Sequence, residues 1–326
     1  MPPIGGPDTD KQPTIVCAGI AVVDVVVHPV RQPLPMGHVQ VVEGIELAAG
    51  GCAMTTATAL RALGEDVGLS AALGDDPLGR YLGELASQRG IDRGGFDWIA
   101  DRPTSASVVL VDEAGERTFM HVPGTSDDLS PDHVRASLHA DLGWLHLAGL
   151  LVTDKLDGQP AAQIFRDARE MGVRTSADVV WDDRDRWHLM HPNLPYLDLF
   201  TPSQEEAVAI SGRDTVPEAA RWLHDQGVGV VAITQGGEGA RVSDGEVAWQ
   251  VPVDDVSPVD GTGAGDCFTA AMISGLFAGG ELPHVASLAA VLGGVAVATV
   301  GAPSVFPDRD ILDARARRLL ERLVAI

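Results

Sequence analysis

An α/β fold is predicted: a mainly parallel sheet between helices, with a small β-sheet as a lid. Two observations carry this. Short apolar strand candidates alternate with helical patterns through most of the 326 residues, and two stretches break that rhythm with a period of two. Ile15–Ala21, Asp66–Ala72, Gly143–Leu147, Gly172–Ala177, Tyr196–Phe200 and Gly229–Thr234 read as strands. They are β-branched or apolar with few charges, as expected where both faces of a sheet are covered. Between them, Pro77–Arg89 follows Asp76, a good N-cap, and stops at Gly90. Gly158–Met171 ends at Gly172, and Gln204–Ile210 and Pro217–Gln226 follow the same logic. Such alternation argues for a parallel sheet. Leu282–Val300 is apolar, but Pro283, His284, Gly293 and Gly294 interrupt it, so it reads as a buried helix and not a membrane span.

The period-two stretches are His38–Leu47 and Ser105–Val122. The second reads as a hairpin, Ala106–Asp112 and Arg117–Val122 around a turn at Glu113–Gly115. A small sheet with one exposed face fits both, placed over the ligand-bearing edge of the main sheet. Residues 1–13, rich in Pro, Gly and Asp, are expected to be a flexible leader. Residues 14–326 form one domain, with lid segments at approximately 25–48 and 95–123.

Composition narrows the function. A hydrophobic fraction of 45% and a charged fraction of 21% are those of a folded, water-soluble chain. The formal net charge of −23 opposes nucleic-acid binding, and no basic patch offsets it. Neither a membrane partner nor a secretory signal is indicated. Cys17, Cys52 and Cys267 are far apart and show no metal-ligand spacing, as expected of free thiols in a reducing cytoplasm.

The informative segment is Asp260-Gly261-Thr262-Gly263-Ala264-Gly265-Asp266, which runs straight into the helical pattern Cys267–Ile273. Unpaired N–H groups and the helix dipole favour an anion at such a start. Glycines let a phosphate approach the backbone. Asp266 at the same end could take a proton from an attacking hydroxyl, and backbone donors could stabilise the developing phosphoryl charge. The helix-end potential should help keep Asp266 ionised. The segment also fits a plain glycine-rich turn with Asp266 as a cap. A dinucleotide fingerprint fits less well, because its final glycine and the following acidic strand end are missing. The Gly-Lys-Ser/Thr of a P-loop is absent from the sequence.

With that segment in place, an ordered set of motifs resembles the PfkB (ribokinase-like) family of carbohydrate kinases. Asp260–Asp266 resembles its Asp-Thr-x-Gly-Ala-Gly-Asp signature. Gly50-Gly51-Cys52-Ala53-Met54-Thr55 resembles its Gly-Gly-x-x-x-Asn signature. Gly74-Asp75-Asp76-Pro77-Leu78-Gly79 looks like its Gly-Asp-Asp-x-x-Gly turn, Ser203–Glu206 like its Asn-x-x-Glu segment, and Thr234–Ala240 like its nucleotide-side Thr-x-Gly loop. The match runs from about Ile15 to Ala302.

The resemblance implies a ribokinase-like fold, ATP and Mg²⁺, and ATP-dependent phosphorylation of a hydroxyl on a small sugar or sugar-like acceptor. It implies Asp266 as general base, with the backbone of Gly263, Ala264 and Gly265 as the anion hole. Asp24, Gly50, Gly51 and Thr55 are implied at the acceptor, and Ser203, Thr234, Gly236 and Gly239 at the nucleotide. Glu206 is implied near the Mg²⁺ through water. Arg117, Phe119 and His121 on the hairpin could touch the acceptor or be ordinary sheet residues. Some relatives use a monovalent cation, here near Asp260 and Ala298–Ser304, and some form a homodimer through the lid.

The departures bear on the acceptor more than on the reaction. Thr55 and Ser203 stand where the family has Asn, Gly261 stands for Thr, and Asp178-Val179-Val180-Trp181-Asp182 lacks the Asn and Arg of Asp-x-Asn-x-Arg. Alternatives are a nucleoside kinase of the same fold, which the 5% aromatic content disfavours, or a non-catalytic ligand-binding relative.

Overall fold

Runs of β-branched, aliphatic and small residues buried along their whole length set the central strands of the large sheet, at Ile15–Gly19, Val67–Gly74 and Trp144–Leu150. The computed structural model describes residues 12–31, 36–113, 117–299 and 301–326. In chain order its elements are β1 (Ile15–Gly19), β2 (Val22–Val30), β3 (Gly44–Gly50), α1 (Cys52–Ala62), β4 (Val67–Gly74), α2 (Pro77–Gln88), β5 (Asp92–Ile99), β6 (Ala106–Asp112), β7 (Arg117–Val122), α3 (Pro131–Arg135), β8 (Trp144–Leu150), α4 (Gln159–Glu170) and β9 (Arg174–Val179). There follow β10 (Leu199–Phe200), α5 (Gln204–Ser211), α6 (Val216–Asp225), β11 (Val230–Thr234), β12 (Ala240–Ser243), β13 (Ala248–Val251), α7 (Ala264–Phe277), α8 (Leu282–Val297), α9 (Arg309–Leu320) and β14 (Val324–Ala325).

Among the described residues, ten strands form one sheet in the order β14-β13-β12-β11-β10-β9-β8-β1-β4-β5. Pairing is parallel from β5 to β11 and antiparallel from β11 to β14. Two cores lie against it. One gathers α1, α7, α8 and α9 through Met54, Leu60, Met272, Leu292 and Leu312. The other gathers α4, α5 and α6 through Ile164, Phe165, Ile210 and Leu223. The chain winds outward from β1 to β4 and β5, then returns to the other side of β1 at β8. That reversal opens a crevice at the carboxyl ends of β1 and β8, where open α/β sheets bind ligands.

The second sheet has the order β3-β2-β6-β7. Its hairpin, β6 and β7, agrees with the expected ranges; residues 114–116 of the turn lie outside the described residues. Three expectations need correction. His38–Leu47 is not one strand: pairing with β2 begins at Gly44, and Val39 and Val41 stand 93% and 92% exposed, with nothing to bury their alternating face. Residues 95–99 belong to β5 of the large sheet and not to the lid. Tyr196–Phe200 shrinks to Leu199–Phe200, because Pro195 puts Leu194–Tyr196 into a 3₁₀ turn. The leader falls on residues 1–11, outside the described residues, except for Gln12 and Pro13. Val300, at the end of the apolar stretch, also lies outside them. The rest of that stretch is the mostly buried α8, and no described helix is long and apolar enough to cross a membrane.

Asp76 ties the lid to the large sheet. Its carboxylate caps α2 by accepting from Gly79 N–H at 2.8 Å, and it accepts from Thr104 N–H and the Thr104 hydroxyl, each at 2.8 Å. Burial opposes its charge, but these donors outweigh burial and hold its carboxyl below the ordinary range. Asp76→Ala is expected to destabilise the protein by roughly 2 kcal/mol. Since the folded value is depressed, that loss is full above the unfolded pKa and shrinks as pH falls through the folded one. Urea denaturation of both proteins at pH 7 and at pH 3 checks this.

Candidate active site

The site is built where α7 begins. Gly263, its N-cap, adopts a left-handed conformation (φ 76°) that glycine takes without strain. A side chain there would also crowd Thr55, whose methyl would lie 3.0 Å from the added carbon. Asp260 holds the preceding loop: its Oδ1 accepts from Thr262 N–H and its Oδ2 from Gly301 N–H, both at 2.7 Å. Ala264 N–H is taken by Gly261 and Cys267 N–H by Gly263. The N–H groups of Gly265 and Asp266 have no acceptor among the described residues, and a side chain at Gly265 would meet only open space. That is an anion-ready helix start.

Asp266, in the first turn, stands in a crowd of acids. Cys52, at the start of α1, lies beside Asp266, and one ligand atom each of Cys52, Asp178 and Asp266 lie within 4.8 Å of one another. Glu206 is close enough to act on the Cys52 thiol. Burial, then the negative charge of Asp178, push the Asp266 carboxyl well above the ordinary range. The expected ionisation of Asp266 by the helix end is therefore opposed in the ligand-free protein: desolvation and a like charge nearby outweigh the dipole. Glu206 is pushed up to about 7 by burial, against the Ser203 N–H and hydroxyl that favour its charge. Ser203 and Glu206 cap α5 reciprocally, with Ser203 N–H donating to Glu206 Oε2 at 2.7 Å.

Beside this crevice, one row crosses the lid. Asp24 on β2 pairs with Ser107 on β6, which pairs with His121 on β7. The Ser107 hydroxyl donates to Asp24 and lies 3.1 Å from His121 Nδ1. A side chain at Gly50 would collide with the Asp24 carboxylate, and one at Gly51 (φ 86°) with the Ile20 carbonyl. Asp24 and Phe119 line a small cleft with Val109, Asp260 and Thr262. Of the Arg117 side chain, the described residues say nothing.

On the other side of α7, a cleft of about 400 Å³ is lined by Thr234, Gly236, Gly239, Ala264 and Gly265. Gly236 and Gly237 face open space. Val253, Val256, Phe268 and Val297 give the cleft an apolar wall. Gly294 lets α8 approach Asp254, which pairs with Arg315.

The structure thus brings Asp266, Gly263, Ala264 and Gly265 between the cleft holding Thr234, Gly236 and Gly239 and the lid row holding Asp24. Gly50 abuts that row. Thr55, 2% exposed, packs behind the loop at Gly263. Ser203 is one bridge from Thr234 but does not line the cleft. Sequence reading overlooked Ser107, His146, Cys52 and the cleft's apolar wall as site neighbours. Only Ser107 carried a usable signal: the hairpin register places it opposite His121.

Fold and site together define an α/β kinase of small molecules, with a β-lid and an acidic group at a glycine-rich helix start. The chain belongs to the pfkB family of carbohydrate kinases, whose pattern matches residues 12–309. Its relatives include fructokinase of Klebsiella pneumoniae, 29% identical over 277 residues that span 81% of this chain and 90% of that protein. Aminoimidazole riboside kinase of Salmonella typhimurium is 26% identical over 277 residues, 81% of this chain and 86% of that protein. Among solved structures, Arabidopsis thaliana ribokinase complexed with ribose and ATP superposes with a TM-score of 0.75 at 23% identity, covering 95% of this chain and 99% of that one. Vibrio cholerae fructokinase, a double mutant bound to fructose, ADP and potassium, gives 0.76 at 22%, covering 94% and 99%. The fold is ribokinase-like.

Burial raises Asp24 from the ordinary 3.8 to about 6, against the Ser107 hydroxyl that favours its charge. With the folded value above the unfolded one, the associated stability is full below 3.8 and lost as pH rises through about 6. Asp24→Asn removes that loss. It is expected to stabilise the protein by roughly 1–3 kcal/mol at pH 8 and by much less at pH 4. Denaturant titrations at the two pH values measure it.

Proposed function

We propose that the chain transfers the γ-phosphoryl group of ATP to a hydroxyl of a small sugar or sugar-like acceptor, with Asp266 as general base. The observation that carries this reading is the position of Asp266, at the helix start between a glycine-walled cleft and a lid row carrying a second carboxylate. The cleft fits a nucleotide: its wall is apolar, and its glycines at Gly236, Gly237 and Gly265 leave the backbone open to phosphates. The carboxylates of Glu206 and Asp178 suit a hard cation such as Mg²⁺ held partly through water. When bound, Mg²⁺ and ATP supply the phosphoryl group and neutralise its charge.

In this reading the backbone of Gly263, Ala264 and Gly265 orients the phosphates. Asp24 holds acceptor hydroxyls, with Ser107 and His121 fixing its carboxylate. Gly50 and Gly51 leave room for the acceptor, and Thr55 keeps the Gly263 loop against it. Asp266 takes the hydroxyl proton as the oxygen attacks. With the Asp178 charge offset by a bound cation, Asp266 has a lower proton affinity and stays ionised, able to accept that proton. Ser203 sets the loop beside Thr234, and Thr234, Gly236 and Gly239 border the nucleotide. Asp260 and the residues from Ala298 to Ser304 are the place for a monovalent cation.

A nucleoside acceptor is the second reading. Relatives of this chain include pseudouridine kinase of Escherichia coli, 28% identical over 238 residues, 71% of this chain and 74% of that protein. Phe119, 54% exposed on the acceptor-side cleft, offers a face for a base. Cys17, Cys52 and Cys267 are all unpaired, which supports a cytoplasmic setting. Exposed Ile45, Leu47, Met120 and Val122 on the lid support a homodimer through it, which sedimentation would test.

A coupled kinase assay over sugars, polyols, sugar acids and nucleosides tests the reading; ATP turnover with none of them would overturn it. Asp266→Asn is expected to lower kcat by about 10²–10⁴-fold while ATP affinity stays near wild type and, because burial raises the carboxyl, stability at pH 7 is equal to or above wild type. As a mere cap, Asp266 would tolerate Asn, so a folded variant with near-normal kcat would remove the assignment. Thr55→Ala should raise KM for the acceptor and leave KM for ATP nearly unchanged; equal effects on both would make it only a support of the fold.

A further inference from the structure

We propose that Cys52, Asp178 and Asp266 form a binding site for a thiophilic divalent cation, zinc being the probe, which shares only Asp178 with the carboxylates that suit the Mg²⁺ accompanying ATP. These residues are far apart in sequence and meet only because α1, β9 and α7 converge on one crevice. Their ligand atoms lie within 4.8 Å of one another. Zinc would draw such donors to roughly 3.3–3.7 Å apart, a contraction within reach of side-chain rotation.

A second observation points to a ligand. Asp178 is 6% exposed; its Oδ1 accepts from Gly149 N–H at 2.5 Å, but its Oδ2 has no hydrogen-bond partner. The neighbouring His146 Nε2, fully buried, faces that oxygen at 3.4 Å, an ion-pair contact that does not make a hydrogen bond for either atom. Buried polar atoms left this way are uncommon and mark a place for a water or an ion. The donor set chooses between them: one thiol and two carboxylates are three anionic ligands once deprotonated. A hard cation prefers oxygen alone, whereas a thiolate with carboxylates suits zinc with three protein ligands and one open position.

Charge agrees. Two carboxylates and a thiol gathered in one crevice offer a dication its counter-charge once deprotonated. On binding, Cys52, and Asp266 where it is protonated, release their protons to water, and the three deprotonated ligands with zinc carry a net charge of −1. His146 stands behind Asp178, where it can orient the ligating carboxylate. Cys17 and Cys267, both fully buried, do not share the cluster. On the reading of Asp266 as base, the metal occupies the proton acceptor and switches the kinase off.

The experiment titrates the metal-stripped full chain with zinc, and separately with cobalt(II), in the absence of nucleotide. One equivalent is expected, with a thiolate-to-cobalt charge-transfer band in the near ultraviolet. Cys52→Ser should abolish the band and weaken zinc binding at least about tenfold, and His146→Gln should weaken it by about 10–100-fold. Cys267→Ala should keep the band. A measurement on wild type guards against misfolded variants: zinc should slow alkylation of Cys52 by iodoacetamide, read by mass spectrometry. No band in the wild type, equally tight zinc binding by Cys52→Ser, or unprotected Cys52 would each overturn the site. Zinc binding as described with no turnover on any acceptor would overturn the kinase reading and leave the metal site standing. Turnover that zinc leaves untouched at saturation would overturn its role as a switch.

Discussion

Negative charge confined at one end of a parallel sheet is the constraint on which the rest of the structure depends. Asp178 at the end of β9, Glu206 at the start of α5 and Asp266 at the start of α7 converge where β1 and β8 end. Desolvated carboxylates that near to one another repel. At Glu206 and Asp266 a helix start opposes that repulsion with backbone N–H groups, and at Asp178 the Gly149 N–H does so. The arrangement holds its charges under tension and suits a site where a cation and phosphates come and go.

Two backbone devices keep that end in shape. Asp260 spans Thr262 N–H and Gly301 N–H, so the loop before α7 is fixed to the segment after α8. Gly263 then turns the chain into α7 against Thr55, where a side chain would be strained by the positive φ and would crowd the Thr55 methyl. The lid depends on similar economy of space. Gly50 exists where the Asp24 carboxylate needs room, and Asp24, Ser107 and His121 form one row because β2, β6 and β7 pair in register.

Much of this was legible in the sequence. The alternation of strands and helices read correctly because strands covered on both faces show continuous apolar runs, as in β1, β4 and β8. The hairpin β6–β7 was legible from its period of two, and α2 from Asp76 and Pro77. Other elements were not. β2 has Val at six of its nine positions and no alternation to mark it, and β5 carries Gly94 and Gly95, which weaken a strand pattern, so the sequence reading places residues from 95 in the lid. His38–Val41 alternates with no strand to pair with, since pairing depends on a partner's position and not on the pattern itself.

By itself the sequence determined the class of fold, the glycine-rich helix start and the order of motifs that mark the family, because these are local patterns of residue type along the chain. Only the tertiary structure decided which acids share a crevice. Cys52, Asp178 and Asp266 gave no sign of one another, and His146 read as part of an apolar strand. Their meeting follows from the order in which β1, β8 and β9 pair and from where α1 and α7 start. The electrostatic character of the site follows in turn, since the proton affinity of a carboxylate depends on its burial and neighbours, which spacing along the chain does not encode.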